Sequence, residues 1–155
     1  MSAKRIKEGA LVRIDLNNGF DAFARVLPNA QAAFYAFKCG HKEEIDYSKV
    51  YESEVLFITA VMKYAFKAEG WSLVDERPLE LELLAPRNYF MKDGLNGKYS
   101  IYRSSDGAIC NSSKEHCQGL EEAAVWDPEH IEERLRDHFN GRLNTQVAQM
   151  KLKLQ

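Results

Sequence analysis

One short stretch of the chain carries residue types at a spacing suited to acid–base chemistry. It reads Trp126-Asp127-Pro128-Glu129-His130, followed by Glu133, Arg134 and Asp137. On a helix, His130 lies within one turn of Asp127, and Arg134 lies one turn further on. An imidazole oriented by a carboxylate is the usual proton acceptor near neutral pH. A guanidinium beside it can stabilise charge developing on an oxygen. Trp126 offers an apolar wall for a bound group. On this reading His130, Asp127 and Arg134 are the catalytic candidates and Trp126 the substrate-binding one. The competing reading is a solvated helix face, with His138 near the favourable C-terminal dipole.

Other chemistry is weakly marked. The histidines are His41, His116, His130 and His138, and the cysteines are Cys39, Cys110 and Cys117. HExxH, CxxC and the paired Cys/His spacings of structural zinc are all missing. Cys39-Gly40-His41 and His116-Cys117 would suit zinc only if they converged, and free thiols are the simpler expectation. Metal and cofactor are left open. The sequence lacks GxGxxG, a P-loop and GxSxG, which argues against nucleotide binding and standard serine hydrolase chemistry. Three cysteines cannot all pair, and no apolar run follows the basic start, so a reducing cytoplasm is expected.

The 155 residues are 45% hydrophobic and 28% charged, a globular composition. Lysine and arginine number 21 against 23 acids, a formal net charge of −2. That balance argues against a nucleic-acid backbone binder. The longest apolar run, near Val55 to Met62, is too short to cross a bilayer. From Gly119 to Phe139 the balance is different. Glu121, Glu122, Asp127, Glu129, Glu132, Glu133 and Asp137 face only Arg134 and Arg136, an acidic segment able to steer a basic partner.

The elements that must position these residues follow from periodicity. Ala10, Val12, Ile14 and Leu16 alternate with polar neighbours, which predicts a half-buried strand. Asn18-Gly19 suits a type I′ turn into a second strand, Phe20 to Leu27. Gln31 to Lys38 is a third, completing a meander. Cys39 to Ser53 reads as a loop with one helical turn. Glu54 onward is a strand that becomes ambiguous after Met62, and Trp71 to Asp75 is expected to return beside it. Pro78 to Pro86 is a short helix or edge segment. Asn88–Lys92 and Lys98–Arg103 form a hairpin, and a short strand ends near Cys110. Ser112-x-x-Glu115 has the capping-box pattern, and Gly119 to Trp126 looks helical. Asp127-Pro128 starts a clearer helix with Ile131, Leu135 and Phe139 as its buried stripe, ended by Asn140-Gly141. Trp126 is expected to be buried with them. The fold class is α+β: a mostly antiparallel bent sheet or small barrel with C-terminal helices. Residues 1–141 form a single globular domain, and 142–155 a dispensable tail.

Two stretches carry a family resemblance. One is Gly9 to Leu27, with Ile14, Leu16, Gly19, Ala24, Arg25 and Val26 around the hairpin. The other is the run from Gly119 through Trp126-Asp127-Pro128 to Phe139. Together they resemble the immunity protein 26 family, also labelled the phosphotriesterase HocA family, from about Lys7 to Phe139. The HocA label implies a small cytosolic hydrolase of phosphoric triesters, with a small-molecule phosphotriester as partner. The immunity label implies the alternative, a protein that binds and neutralises a polymorphic bacterial toxin domain. The expectation taken forward is the phosphotriesterase.

Overall fold

A computed structural model describes residues 6–155. In chain order the elements are β1 (Ala10–Asp15), β2 (Phe20–Val26), β3 (Gln31–Tyr35), β4 (Cys39–Gly40), α1 (Ser48–Tyr51) and β5 (Val55–Val61). A 3-10 turn at Lys63–Lys67 leads to β6 (Trp71–Glu76) and α2 (Leu81–Leu84). Then come β7 (Asn88–Lys92), β8 (Tyr99–Arg103), β9 (Ile109–Ser112), α3 (Lys114–Cys117), β10 (Val125–Trp126), α4 (Pro128–Phe139) and α5 (Thr145–Leu152). The class is α+β, as the pattern of elements implies. The chain divides into two compact units. The first runs to Leu84 and adds Val125–Arg136; the second is Ala85–Ala124 with Asp137–Gln155.

The first unit is built on one sheet in the order β10-β5-β3-β2-β1-β6, with β4 also paired to β2. The end strands β10 and β6 do not pair with each other, so the sheet is bent and open, not a barrel. Register shifts at Leu11/Val12 and at Phe34/Tyr35 supply local bends. The Asn-Asn-Gly connection departs from a type I′ turn. Asn17 and Gly19 take the positive φ values, and Leu16 N–H donates to Phe20 O at 3.0 Å, making a three-residue loop. β6 pairs antiparallel with β1, not with β5 as the sequence suggests. The 3-10 turn redirects the chain, and Asp15 N–H then captures Gly70 O at 2.8 Å.

β1 is expected to be half-buried, yet both faces are covered. Val12, Ile14, Ala24 and Phe34 lie on one face. There Phe34 stacks on Phe57 and meets Trp71 edge-on, and α4 contributes Ile131 and Leu135, both fully buried. Leu11, Phe23, Tyr35, Cys39 and Val50 form a second cluster on the other face, under the segment carrying Phe37, Tyr47 and Tyr51. Polar residues of that face, Arg13 and Arg25, look solvent-facing in sequence but are enclosed by this segment.

Trp126 is buried as expected, whereas Phe139 is only half-buried, its ring edge-on to His138 in the last turn of α4. The helix stops as the sequence implies. Gly141 takes φ 66°, and Arg142 N–H reaches back to Asp137 O at 2.8 Å. Gly119 to Trp126 is not helical. Gly119 has φ 82°, and Phe90 exchanges backbone bonds with Glu121 O and Ala123 N–H, so this segment runs extended beside β7. The cap of α3 is Ser113, which accepts from His116 N–H, one residue later than the capping-box pattern places it.

The second unit holds the meander β7-β8-β9 and a core of Phe90, Cys117 and Leu154, joined by Tyr99, Ile101 and Leu120. The terminal segment is a packed element of this unit. Asn144 caps α5 by accepting from Val147 N–H, Gln118 donates to Leu154 O at 2.8 Å, and Tyr99 donates to Lys153 O at 2.6 Å. Truncation after Gly141 removes Leu154 from its cluster. It is expected to lower thermal stability, against the dispensable tail that its composition suggests.

Gly9 has a precise steric reason to be glycine. Its φ is 89°, and a Cβ there would sit 2.3 Å from the backbone oxygen of Arg77. Gly19 has the same φ with open space around it. Gly19→Ala should therefore cost only the left-handed backbone penalty, about 1–2 kcal/mol. Gly9→Ala should cost clearly more, because backbone must move as well. Urea denaturation of the two variants checks this order.

Candidate functional site

A polar cavity of about 800 Å³ opens on the first unit, where the β1–β2 loop meets β6 and the first turns of α4. Asp15, Asp21, His41, Glu69, Glu129 and Glu132 line it, with Arg13, Lys42 and Tyr47. Carboxylates outnumber its arginine and lysine.

Its floor follows from strand register. Asp15 and Asp21 are direct partners across β1 and β2, a like-charge pair that costs energy unless compensated. Compensation comes from Arg13 and His41. Arg13 Nε donates to Asp21 Oδ2 at 2.6 Å, and its NH2 group donates to Gly40 O and Cys39 Sγ. His41 Nδ1 lies 2.8 Å from Asp21 Oδ1 and 3.7 Å from Asp15 Oδ1. Lys42 N–H adds a third bond to Asp21, at a residue with φ 61°. The carboxylate of Asp21 thus pins the loop after β4 against the hairpin. Burial alone would raise the Asp21 carboxyl, but bonds from His41, Lys42 N–H and Arg13 outweigh it and hold it below the usual range. Burial pushes the neighbouring Cys39 thiol up, which marks it as an inert packing group.

Asp15, Asp21 and His41 bring one ligand atom each to within 4.8 Å of one another. This is the described group whose donors could approach a metal ion, but Arg13 and Lys42 N–H already occupy much of Asp21. Cys39 and His41 belong to the first unit, and His116 and Cys117 to the second, where Cys117 is core.

α4 borders the cavity through Pro128, Glu129 and Glu132. Glu132 is nine-tenths buried, accepting from Trp71 Nε1 at 3.0 Å and from Asn17 Nδ2 at 3.3 Å. Burial, with repulsion from Glu129 and Asp15, lifts its carboxyl above the ordinary range despite the Trp71 bond and nearby Arg136.

The residues singled out from sequence take other positions. Asp127 is the N-cap of α4: Oδ1 accepts from His130 N–H and Oδ2 faces His130 Nδ1, both at 2.8 Å. His130 is half-exposed. The guanidinium of Arg134 lies over the rings of Phe57, at 3.5 Å from the centroid, and Trp126, at 5.0 Å. Trp126 is buried, and its backbone pairs with β5. None of His130, Arg134 and Trp126 lines the cavity. The sequence does bring His130 and Asp127 together; it misses the Asp15–Asp21–His41 group. A signal existed in the two aspartates flanking the Asn-Asn-Gly loop at positions that a hairpin must pair.

The profile of the immunity protein 26 family matches residues 7–101, well over half of the chain. The chain belongs to that family. Among curated proteins and among solved structures, none matches. This overturns the expectation of a phosphotriester hydrolase, and with it the enzyme and small-molecule substrate assignments. The match is to immunity proteins, and the HocA label finds no support.

Three substitutions test the electrostatics and the helix cap. Asp21→Asn removes a charged acceptor and is expected to cost about 1.5–3 kcal/mol at neutral pH. The Asp21 carboxyl is depressed in the folded state, so its contribution is present above the ordinary value near ~4 and is lost as pH falls through the folded value. Stability of Asp21→Asn should therefore decline less steeply than wild type below about pH 4, read from urea midpoints across pH. Asp127→Ala should cost about 1 kcal/mol through the lost cap, whereas His130→Ala should stay within about 0.5 kcal/mol.

Proposed function

We propose that this member of the immunity protein 26 family is an immunity protein, which binds a bacterial toxin domain and blocks it. The observation that carries the reading is the family match over residues 7–101. That span supplies most of the residues lining the acidic cavity. Neutralisation needs no reaction. It needs a surface complementary to the toxin, rigid enough that little ordering is lost on binding. The cavity has that character, because its loop is pinned by Asp21 and its helical wall by the Asp127 cap.

Charge supports a basic partner. Glu69, Glu129 and Glu132 share the cavity with Asp15, and such a field steers cationic surfaces and favours fast encounter. Net charge for the whole chain is only −2, so the steering is local, not a property of the molecule at large. The three free thiols suit the reducing interior in which a cytoplasmic toxin would be met.

The decisive experiment is co-expression with a cognate bacterial toxin domain, sought among the genes that neighbour this one. Growth should be restored, and the purified pair should elute as a one-to-one complex. A toxin that stays active, with no complex formed, rejects the reading. Association should slow by about tenfold or more as salt is raised from low ionic strength, because exposed charges are screened beyond a Debye length. Stopped-flow measurement of the association rate checks this.

A further inference from the structure

We infer that Asn18, in the β1–β2 loop, is a modification site: in the folded chain it converts, ahead of the other asparagines that precede glycine, to aspartate and β-linked aspartate. The reaction needs only water and does not depend on toxin binding.

The chemistry is an attack of the backbone on a side chain. The Gly19 amide nitrogen gives up its proton to a solvent base and bonds to Asn18 Cγ. The bond from Cγ to Nδ2 breaks and ammonia leaves, closing a cyclic imide. Water then adds to one of the two imide carbonyls. Opening on one side restores the ordinary backbone with an aspartate side chain. Opening on the other routes the backbone through Cβ and Cγ. One water is consumed and one ammonia released, with no change of oxidation state. A glycine in second place favours the attack because no side chain shields its nitrogen.

The sequence holds three such pairs, Asn18-Gly19, Asn96-Gly97 and Asn140-Gly141, and all six residues are exposed. Space does not separate them. Each glycine has a positive φ, and a Cβ built on any of them would meet nothing within 4 Å. Side-chain placement does not separate the first two. Asn18 Oδ1 accepts from Phe20 N–H at 3.2 Å, and Asn96 Oδ1 accepts from Lys98 N–H at 2.8 Å. Both bonds fold the carboxamide over the following peptide unit and polarise its carbonyl.

The attacking group does separate them. Gly97 N–H donates to Asp93 O at 2.9 Å, and Gly141 N–H donates to His138 O at 3.1 Å. Each of those bonds must break before the nitrogen can lose its proton and turn on Cγ. Gly19 N–H makes no hydrogen bond among the described residues. The bonds that close its loop, Leu16 N–H to Phe20 O and His41 N–H to Gly19 O, run through neighbouring peptide units.

The product alters the rim of the acidic cavity. Asn17, the preceding residue, lines that cavity and donates to Glu132. Conversion of Asn18 adds a carboxylate to a loop already flanked by the paired Asp15 and Asp21. The β-linked form also lengthens the backbone of that loop.

Trypsin places the three pairs on separate peptides, 14–25, 93–98 and 137–142. The full chain is aged at mildly alkaline pH, folded or unfolded in guanidinium chloride, and conversion of each peptide is followed by mass spectrometry. In the folded chain Asn18 should convert about fivefold faster than Asn96 or Asn140, the factor that one net hydrogen bond represents. Fragmentation of peptide 14–25 should place the product at Asn18 and not at Asn17. In the unfolded chain the gap should close, because Gly97 and Gly141 have lost their acceptors. Conversion of Asn96 or Asn140 at least as fast as Asn18 in the folded chain overturns the inference. So does product at Asn17, or a gap that unfolding leaves unchanged.

Discussion

The guanidinium of Arg25 is fully buried, and much of the first unit is arranged to make that tolerable. Its Nε donates to Gly9 O at 2.7 Å, and its NH2 group donates to Arg77 O and Pro78 O, both at 2.9 Å. Its NH1 group reaches Tyr35 Oη and the Glu80 carboxylate, each at 3.1 Å, and Tyr51 lies against its plane. A charge with no water must have every donor satisfied, and losing one partner of such a group typically costs about 3–5 kcal/mol. One side chain on β2 therefore fixes where the chain enters β1, where it leaves β6, and where the α2 segment begins. Gly9 has its left-handed backbone and its crowding against Arg77 O for the same reason. Burial and the bond to Asp75 push the Tyr51 phenol well above its ordinary range, which keeps that ring neutral beside the two arginines.

The acidic cavity repeats this logic at the other end of β2. Asp21 is buried and carries a charge, and it is satisfied from three sides by Arg13, His41 and Lys42 N–H. The two buried charges of β2 thus do different things. Arg25 gathers backbone carbonyls and closes the structure. Asp21 fixes a loop and leaves its neighbours Asp15, Glu129 and Glu132 facing an open space.

How much of this was legible in the residues depends on the range of the interaction. Asp127-Pro128 and Asn140-Gly141 delimited α4, because caps and stops are settled by groups within four residues. The spacing of Ile131 and Leu135 implies burial, and both are buried, whereas Phe139 at the helix end is covered only in part. The failures have a common cause. Gly119 to Trp126 carries helix-forming residues, but backbone groups of β7 and β5 capture it as extended chain. Trp71–Glu76 joined β1 because the turn at Gly70 delivers it to Asp15, a choice that local pattern does not reveal.

By itself the sequence determined the meander, the α4 helix, the α+β class and the membership of a family whose profile spans residues 7–101. Those rest on period, turn chemistry and motif, all of which are local. Only the tertiary structure decided which polar residues are buried and which face a cavity. Arg13, Arg25 and Asp21, on alternating strand positions, and Glu132, on a helix, all look like solvated charges in a string of letters. Their burial comes from the segment after β4 and from α4 folding over opposite faces of one sheet. Where a charge ends up depends on which distant chain covers it. The cost of desolvating it then dictates the partners it must have.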